Sequence, residues 1–172
     1  MSRQKFLVGR ITLSDRAAAG VYEDLSGPEI ERVLRGFFDE AMEFRVRVLP
    51  DDRTAIEETL RLMVADGLPL IVTTGGTGPS ERDVTPEATR SVIEKELPGF
   101  GEIMRVQSFE KVPTAILSRA VAGVAGRSLV VNLPGRPAAI SECLALIAPA
   151  IAECLDHVTA WRPQLSAATR MR

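Results

Sequence analysis

Apolar and polar positions along the chain fall into short runs that switch between a strand period and a helical period. Phe6–Leu13, with Val8, Ile11 and Leu13, predicts strand one, and a polar stretch from Ser14 to Gly27 follows it. Ile30, Val33, Leu34, Phe37 and Phe38 share one face of a predicted helix from about Pro28 to Ala41. Phe44–Leu49 alternates Phe44, Val46 and Val48 with Arg45 and Arg47, as a strand with one wet face does at a sheet edge. Asp52 is placed to cap the next helix, whose core positions are Ile56, Leu60, Met63 and Val64. Leu70–Thr74 predicts strand three, and Thr85-Pro86-Glu87 opens a helix that Pro98-Gly99 breaks. A short helix is expected over Gly101–Phe109, and another starts at Pro113 and reaches Val121. Ser128–Leu133 is a continuous apolar strand, closed by Pro134-Gly135-Arg136-Pro137. The last helix carries Ile140, Leu144, Ile147, Ile151 and Leu155 on one stripe, with a kink expected at Pro149.

Strands alternate with helices throughout. This predicts a single-domain α/β fold, a doubly wound, mostly parallel sheet with helices on both faces. The domain is expected over residues 1–160, with 161–172 a polar C-terminal tail that frays after Trp161. Ligands of such folds bind at the carboxyl ends of the strands. The loops at Ser14-Asp15, Pro50-Asp51, Thr73–Gly78 and Asn132–Pro137 all follow strands and should converge on one rim.

Composition narrows the function classes. The chain has 172 residues and a net charge of -2, which argues against a nucleic-acid binder held by bulk electrostatics. The apolar run at the start is short and interrupted by Arg10, so it reads as no signal peptide, and no stretch reaches the ~20 apolar residues of a membrane span. A cytoplasmic protein is expected. Cys143 and Cys154 fall eleven residues apart in one predicted helix. At ~1.5 Å per residue they are roughly 16 Å apart, too far for a disulfide within the chain. With the single His157 they cannot make up the usual zinc ligand set.

The chemistry concentrates in residues 70–89. Strand three runs into Thr74, Gly75, Gly76, Thr77 and Gly78, then reaches Asp83 and the helix start at Pro86 and Glu87. Glycines let successive N–H groups point into one concavity, a nest for phosphate oxygens. No Gly-Lys-Ser/Thr follows, so this is not a P-loop, and the spacing of a dinucleotide fingerprint is absent. Asp51 closes strand two. Two carboxylates on neighbouring strand ends, Asp51 and Asp83, can hold Mg2+, which takes oxygen ligands and keeps several waters. A metal there would bridge phosphate oxygens in an in-line displacement. The Asn132–Pro137 turn is a second rigid element, and Asn132 can both donate and accept, as a heterocyclic ring requires. Lys111, Arg119 and Arg136 are the cations expected nearest these loops, and Asp83 has Arg82 as a ready neighbour to pair with.

Thr73-Thr74-Gly75-Gly76-Thr77-Gly78-Pro79, Arg82-Asp83-Val84-Thr85-Pro86-Glu87-Ala88-Thr89, Pro113–Arg119 and Asn132-Leu133-Pro134-Gly135-x-Pro137 together resemble the MogA-type molybdopterin adenylyltransferases, relatives of MoaB and the gephyrin G domain. Ser14-Asp15-Arg16 and the Gly20–Gly27 segment extend the resemblance, which runs in order from residue 6 to 155. It implies an enzyme of molybdenum cofactor synthesis that transfers AMP from ATP to the terminal phosphate of molybdopterin, releases pyrophosphate and uses Mg2+. It implies Asp51 and Asp83 as catalytic and metal-binding residues. Thr74, Gly75, Gly76, Thr77, Gly78, Ser14, Asp15, Pro86 and Glu87 would form the nucleotide and phosphate side, and Ser118, Arg119, Asn132, Pro134 and Gly135 the molybdopterin side. It also implies a homotrimer that hands its product to a MoeA-like insertase. Relatives often carry Gln or Ser where Arg136 stands, and Lys or Ser at Ala138 and Ala139, so charge near that turn would come from Arg136. The alternative is a non-catalytic molybdopterin carrier of the same fold, which the presence of both aspartates disfavours.

Overall fold

The structure is a computed structural model that describes residues 5–170. Residues 1–4 and 171–172, the outer ends of the expected domain and tail, lie outside the described residues. Among the described residues six strands form one sheet: β1 (Phe6–Leu13), β2 (Met42–Leu49), β3 (Leu70–Thr74), β4 (Lys95–Glu96), β5 (Ala122–Ala125) and β6 (Ser128–Leu133). Their order is β2-β1-β3-β6-β5-β4. β2, β1, β3 and β6 pair in parallel, while β5 lies antiparallel to both β6 and β4. The helices are α1 (Asp15–Ala18), α2 (Ser26–Phe37), α3 (Arg53–Ala65), α4 (Thr85–Arg90), α5 (Pro98–Phe109), α6 (Pro137–Val158) and α7 (Ala167–Arg170), with a 3-10 turn at Pro113–Leu117.

The period-two alternation of the strands divides the core. Phe6, Val8, Leu70, Val72, Leu129 and Val131 face α2, α5 and α6. Ile11, Leu13, Ile71 and Val130 face α3 and α4. Each such side chain contributes about 1.5–3 kcal/mol when buried, so a sheet covered on both faces is held in register by its own sequence. The fold is the doubly wound, mostly parallel α/β architecture expected from the chain. Its crossover reverses between β1 and β3, the position where such sheets open a crevice.

Several boundaries differ from the sequence expectation. α2 stops at Phe37, because Phe38 turns extended, buries its ring and pairs with Leu165. β2 therefore begins at Met42, and its Val46 and Val48 remain exposed on the sheet edge. α4 ends at Arg90, far short of Pro98, and Pro98 starts α5 at its first turn instead of breaking a helix. Only Pro113–Leu117 is helical in the segment expected to reach Val121, and the strand β5 follows it. The chain after Trp161 does not fray at once: Trp161 packs edge-on against Phe6 at 5.1 Å, and Ser166 donates to the Gly36 carbonyl. α6 continues through Pro149 and, against expectation, is long and apolar enough to cross a membrane by length and composition. Ile140, Leu144, Ile147, Ile151 and Leu155 are fully or almost fully buried on the sheet, which makes it a core helix.

Candidate functional site

The strand-end loops meet on one rim. Thr74 donates through its hydroxyl to the Pro134 carbonyl at 2.7 Å, and the Gly75 amide donates to Leu133 at 3.3 Å. These bonds join the glycine loop to the Asn132–Pro137 turn. Ser26 donates to the Gly135 carbonyl at 2.6 Å and closes the rim from the α2 side. That contact is held from beneath by a network the sequence did not reveal. Arg10 is buried in β1 and bonds Asp24 at 2.8 Å and Glu31 at 2.9 Å, while Asp24 accepts from the Gly27 amide. Ser14 shares a hydrogen bond with Tyr22 and caps α1 through Ala17 N.

The glycine loop turns on two left-handed residues and, among the described residues, leaves backbone donors unused. Gly75 and Gly76 have φ of 96° and 62°, a region open to glycine at little cost. Thr85 fixes the loop from below: its hydroxyl donates to the Gly75 carbonyl and its amide to the Gly76 carbonyl. Among the described residues the amides of Gly76, Thr77 and Gly78 have no protein acceptor, so three N–H groups are available to phosphate oxygens. Thr74 and Thr77 are buried, and Pro86 is buried in the first turn of α4, beneath the loop.

Asp51 and Asp83 flank this nest. A side chain at Gly76 would bring its Cβ to 3.1 Å from Asp51 Oδ1, and one at Gly78 to 2.8 Å from Asp83 Oδ2. Asp52 turns away and caps α3 through Ala55 N at 2.8 Å, as its position predicts. Burial pushes the Asp51 carboxyl above its ordinary range. The Asp15 amide and Arg82 oppose this, and the charges of Asp15 and Asp83 add to it. Asp83 does not pair with Arg82, contrary to one sequence reading. Its Oδ2 instead accepts from the Ser80 amide and hydroxyl at 2.9 and 2.6 Å. Arg82 reaches across to Asp15, at 2.7 Å, and holds that carboxyl below its ordinary range, with help from the Asp51 amide.

Two residues expected on the molybdopterin side are committed to the protein. Asn132 is fully buried: its Nδ2 donates to Thr73 and Thr89 at 3.0 and 2.9 Å, and its Oδ1 accepts from Val121 N. Where the sequence placed Asn132 toward a heterocycle, its amide here ties β3, α4 and β6 together under the rim. Arg119, partly exposed, bonds Gly78 O, Asp83 O and the Glu87 carboxylate. Burial alone would raise Glu87, but hydrogen bonds from Arg119 and its own amide, with the charges of Arg119 and Arg90, hold it below the ordinary range.

Beside the nest runs a groove of about 370 Å³. Ser118, Pro134 and Gly135, expected from the sequence, line it with Thr77 and Gly78. Met104, Val112, Ala115 and Leu117 supply an apolar wall that sequence reasoning missed, because α5 and the 3-10 turn join it only in the folded chain. Arg105 and Arg136 also line it, and neither forms an ion pair among the described residues. Glu142 also lines the groove and is paired with Lys111 at 2.9 Å. A mostly apolar cleft with a few cations and hydroxyls suits a flat heterocycle bearing anionic groups.

The comparisons with known proteins agree with this chemistry. A family model described as a probable molybdopterin binding domain matches residues 9–153. A molybdopterin adenylyltransferase of Helicobacter pylori is 51% identical over 156 residues, covering 90% of this chain and 89% of that protein. The molybdopterin adenylyltransferase of Escherichia coli is 46% identical over 138 residues, covering 80% and 71%. The crystal structure of the molybdopterin biosynthesis enzyme MoaB from Thermus thermophilus matches with a TM-score of 0.85 at 41% identity, over 92% of this chain and 99% of that one.

Proposed function

The chain belongs to the molybdopterin-binding family whose model spans residues 9–153, and on that premise we propose that it is a molybdopterin adenylyltransferase of molybdenum cofactor biosynthesis. It is a transferase whose substrates are ATP and molybdopterin. An oxygen of the terminal phosphate of molybdopterin attacks the α-phosphorus of ATP. The bond to the β-phosphate breaks, and pyrophosphate leaves with that electron pair. A phosphate monoester is already largely ionised near neutral pH, so no strong base is required of the protein.

The observation that carries this reading is that Thr77 and Gly78 belong to the nest and also line the groove. A nucleotide phosphate on the loop and a pterin in the groove would thus meet at one pair of residues. The amides of Gly76, Thr77 and Gly78 hold the nucleotide phosphates, with Thr74, Gly75, Ser14, Asp15, Pro86 and Glu87 shaping that side. Ser118, Pro134 and Gly135 border the pterin, and Arg105 and Arg136 meet its negative charge.

Asp51 and Asp83 are the assigned catalytic carboxylates, and they fit Mg2+. Among the described residues no hydrogen bond uses Asp51 Oδ1 or Asp83 Oδ1, and Asp51 is destabilised as an anion by burial and by its carboxylate neighbours. A cation would relieve that cost. Among the described residues no group of three or more His, Cys, Asp or Glu side chains gathers to hold a metal, so water and phosphate oxygens would complete the shell. When bound, the ion supplies Lewis-acid stabilisation of the charge on the phosphates.

The domain is assigned residues 1–160, with 161–172 a C-terminal extension. The protein would act in the cytoplasm as a homotrimer and pass its product to a MoeA-like insertase. The free edge of β2, with Val46 and Val48 exposed, supports self-association, since such edges invite pairing. The test of the activity is pyrophosphate release from ATP and Mg2+ that depends on added molybdopterin. Release independent of the pterin, or none, would overturn it.

A further inference from the structure

We propose that Arg119 is a positioning residue for Asp83 and the phosphate nest, and not a ligand of the pterin. This rests on the adenylyltransferase reading for its kinetic consequence and on geometry alone for its structural one. Arg119 spreads over both ends of one segment. Its Nε donates to Gly78 O at 2.9 Å and its Nη2 to Asp83 O at 2.6 Å, while Nη1 pairs with Glu87 in α4. Its own amide donates to Thr77 O at 2.8 Å. The segment 78–83 is thus gripped where it leaves the nest and where it delivers the carboxylate. Inside the grip, Asp83 closes a turn on Ser80 through its amide, at 3.0 Å, and its carboxylate.

The fork of the guanidinium is what the site needs. Three acceptors lie in three directions, and a planar group with five N–H donors reaches all of them, whereas an ammonium is a point charge. Each bond runs between a cation and an oxygen, which makes it stronger than a neutral bond. Ser118, the residue before, lines the groove. The segment that borders the acceptor site therefore carries the side chain that sets the carboxylate on the nucleotide side. Each nitrogen of the Arg119 guanidinium already donates to the protein, so turning the side chain toward a pterin would break these bonds.

The test uses the full-length protein and the variants Arg119→Ala and Arg119→Lys. Both should lower kcat by about 100-fold, the cost of a misplaced catalytic group. Molybdopterin affinity, read by fluorescence titration, should change by less than about threefold. Hydrogen exchange should quicken at the amides of 78–83 and stay unchanged in β1, β3 and β6. In single-turnover experiments in the Asp83→Asn background, Arg119→Ala should cost clearly less than in the parent, because the part of its action that runs through the Asp83 carboxylate is already gone. Loss of pterin affinity in step with rate would make Arg119 a ligand and overturn the proposal. So would full activity in Arg119→Lys, an equal loss in the Asp83→Asn background, or unchanged exchange at 78–83. Should the wild-type protein transfer no AMP, the functional reading fails, and the exchange experiment still decides whether Arg119 holds the segment.

Discussion

Asp15 and Asp51 hold each other: the backbone amide of each donates to the side-chain carboxylate of the other, both at 3.0 Å. The reciprocal bonds lock the ends of β1 and β2 together on the rim. They also bring two negative charges close; the Asp15 carboxylate is exposed and paired with Arg82, whereas Asp51 is partly buried and feels Arg82 only as a nearby charge. The pair is consequently unequal. Asp15 is held low and Asp51 is pushed up. A site that keeps an unneutralised, half-buried carboxylate gives up stability for function.

Asp51→Asn should stabilise the metal-free protein while abolishing most turnover. The folded carboxyl is raised, so ionised Asp51 costs stability above that raised value, and the cost fades as pH falls toward 3.8, its ordinary value. Thermal melting without Mg2+ at neutral pH should show a raised Tm. The gain should vanish in acid. A lower Tm at neutral pH would mean that Asp51 is a net structural support.

Arg82→Ala should show the opposite slope. Asp15 is lowered chiefly by its hydrogen bond from Arg82, so the pair stabilises above the ordinary value of 3.8 and is lost as pH falls through the folded one. The group is exposed, and the loss should be small at neutral pH and absent in strong acid. Paired melting curves across pH check this, and a difference that grows in acid would contradict it.

Gly76→Ala should damage both the fold and the site. The position has φ of 62°, and a Cβ would collide with Thr85 Oγ1 and press on Asp51 Oδ1. A cost of about 1–3 kcal/mol is expected from the backbone and the collision together. Gly20→Ala is the control: its φ is 71°, but a Cβ there meets nothing within 4 Å. Denaturant melts and turnover of both variants would check the contrast. Equal stability losses would show that backbone strain alone, and not crowding of the nest, is at work.

Asn132→Ala should unfold more easily and still bind pterin. The change strips Thr73, Thr89 and Val121 N of a buried partner, at about 1–3 kcal/mol. Below its melting temperature the variant should bind molybdopterin as tightly as the parent. A large loss of affinity at unchanged stability would return Asn132 to the ligand set.

The parts of the fold written in local pattern were legible in the chain. β1, β3 and β6 follow their apolar runs to the residue, and Asp52 caps α3 as its neighbours predict. β5 was not legible, because Ala-Gly-Val-Ala is too small and short to carry a strand signal. Its glycine is fixed by a tertiary contact, as a Cβ at Gly123 would press on Ile93 and on Lys95 O. The glycine loop was legible as a turn that needs left-handed backbone, which Gly75 and Gly76 adopt. The committed states of Arg119 and Asn132 were not, because their partners lie 11 to 59 residues away. The apolar wall of the groove was hidden for the same reason.

The most direct test of the whole account follows the α-phosphate of ATP. The protein is mixed with Mg2+, molybdopterin and ATP labelled at the α-phosphorus, and the label is traced by chromatography. The account predicts label in adenylylated molybdopterin, equal in amount to the pyrophosphate released and absent when molybdopterin is left out. Label found only in free AMP, or remaining in ATP while molybdopterin binds, would contradict it.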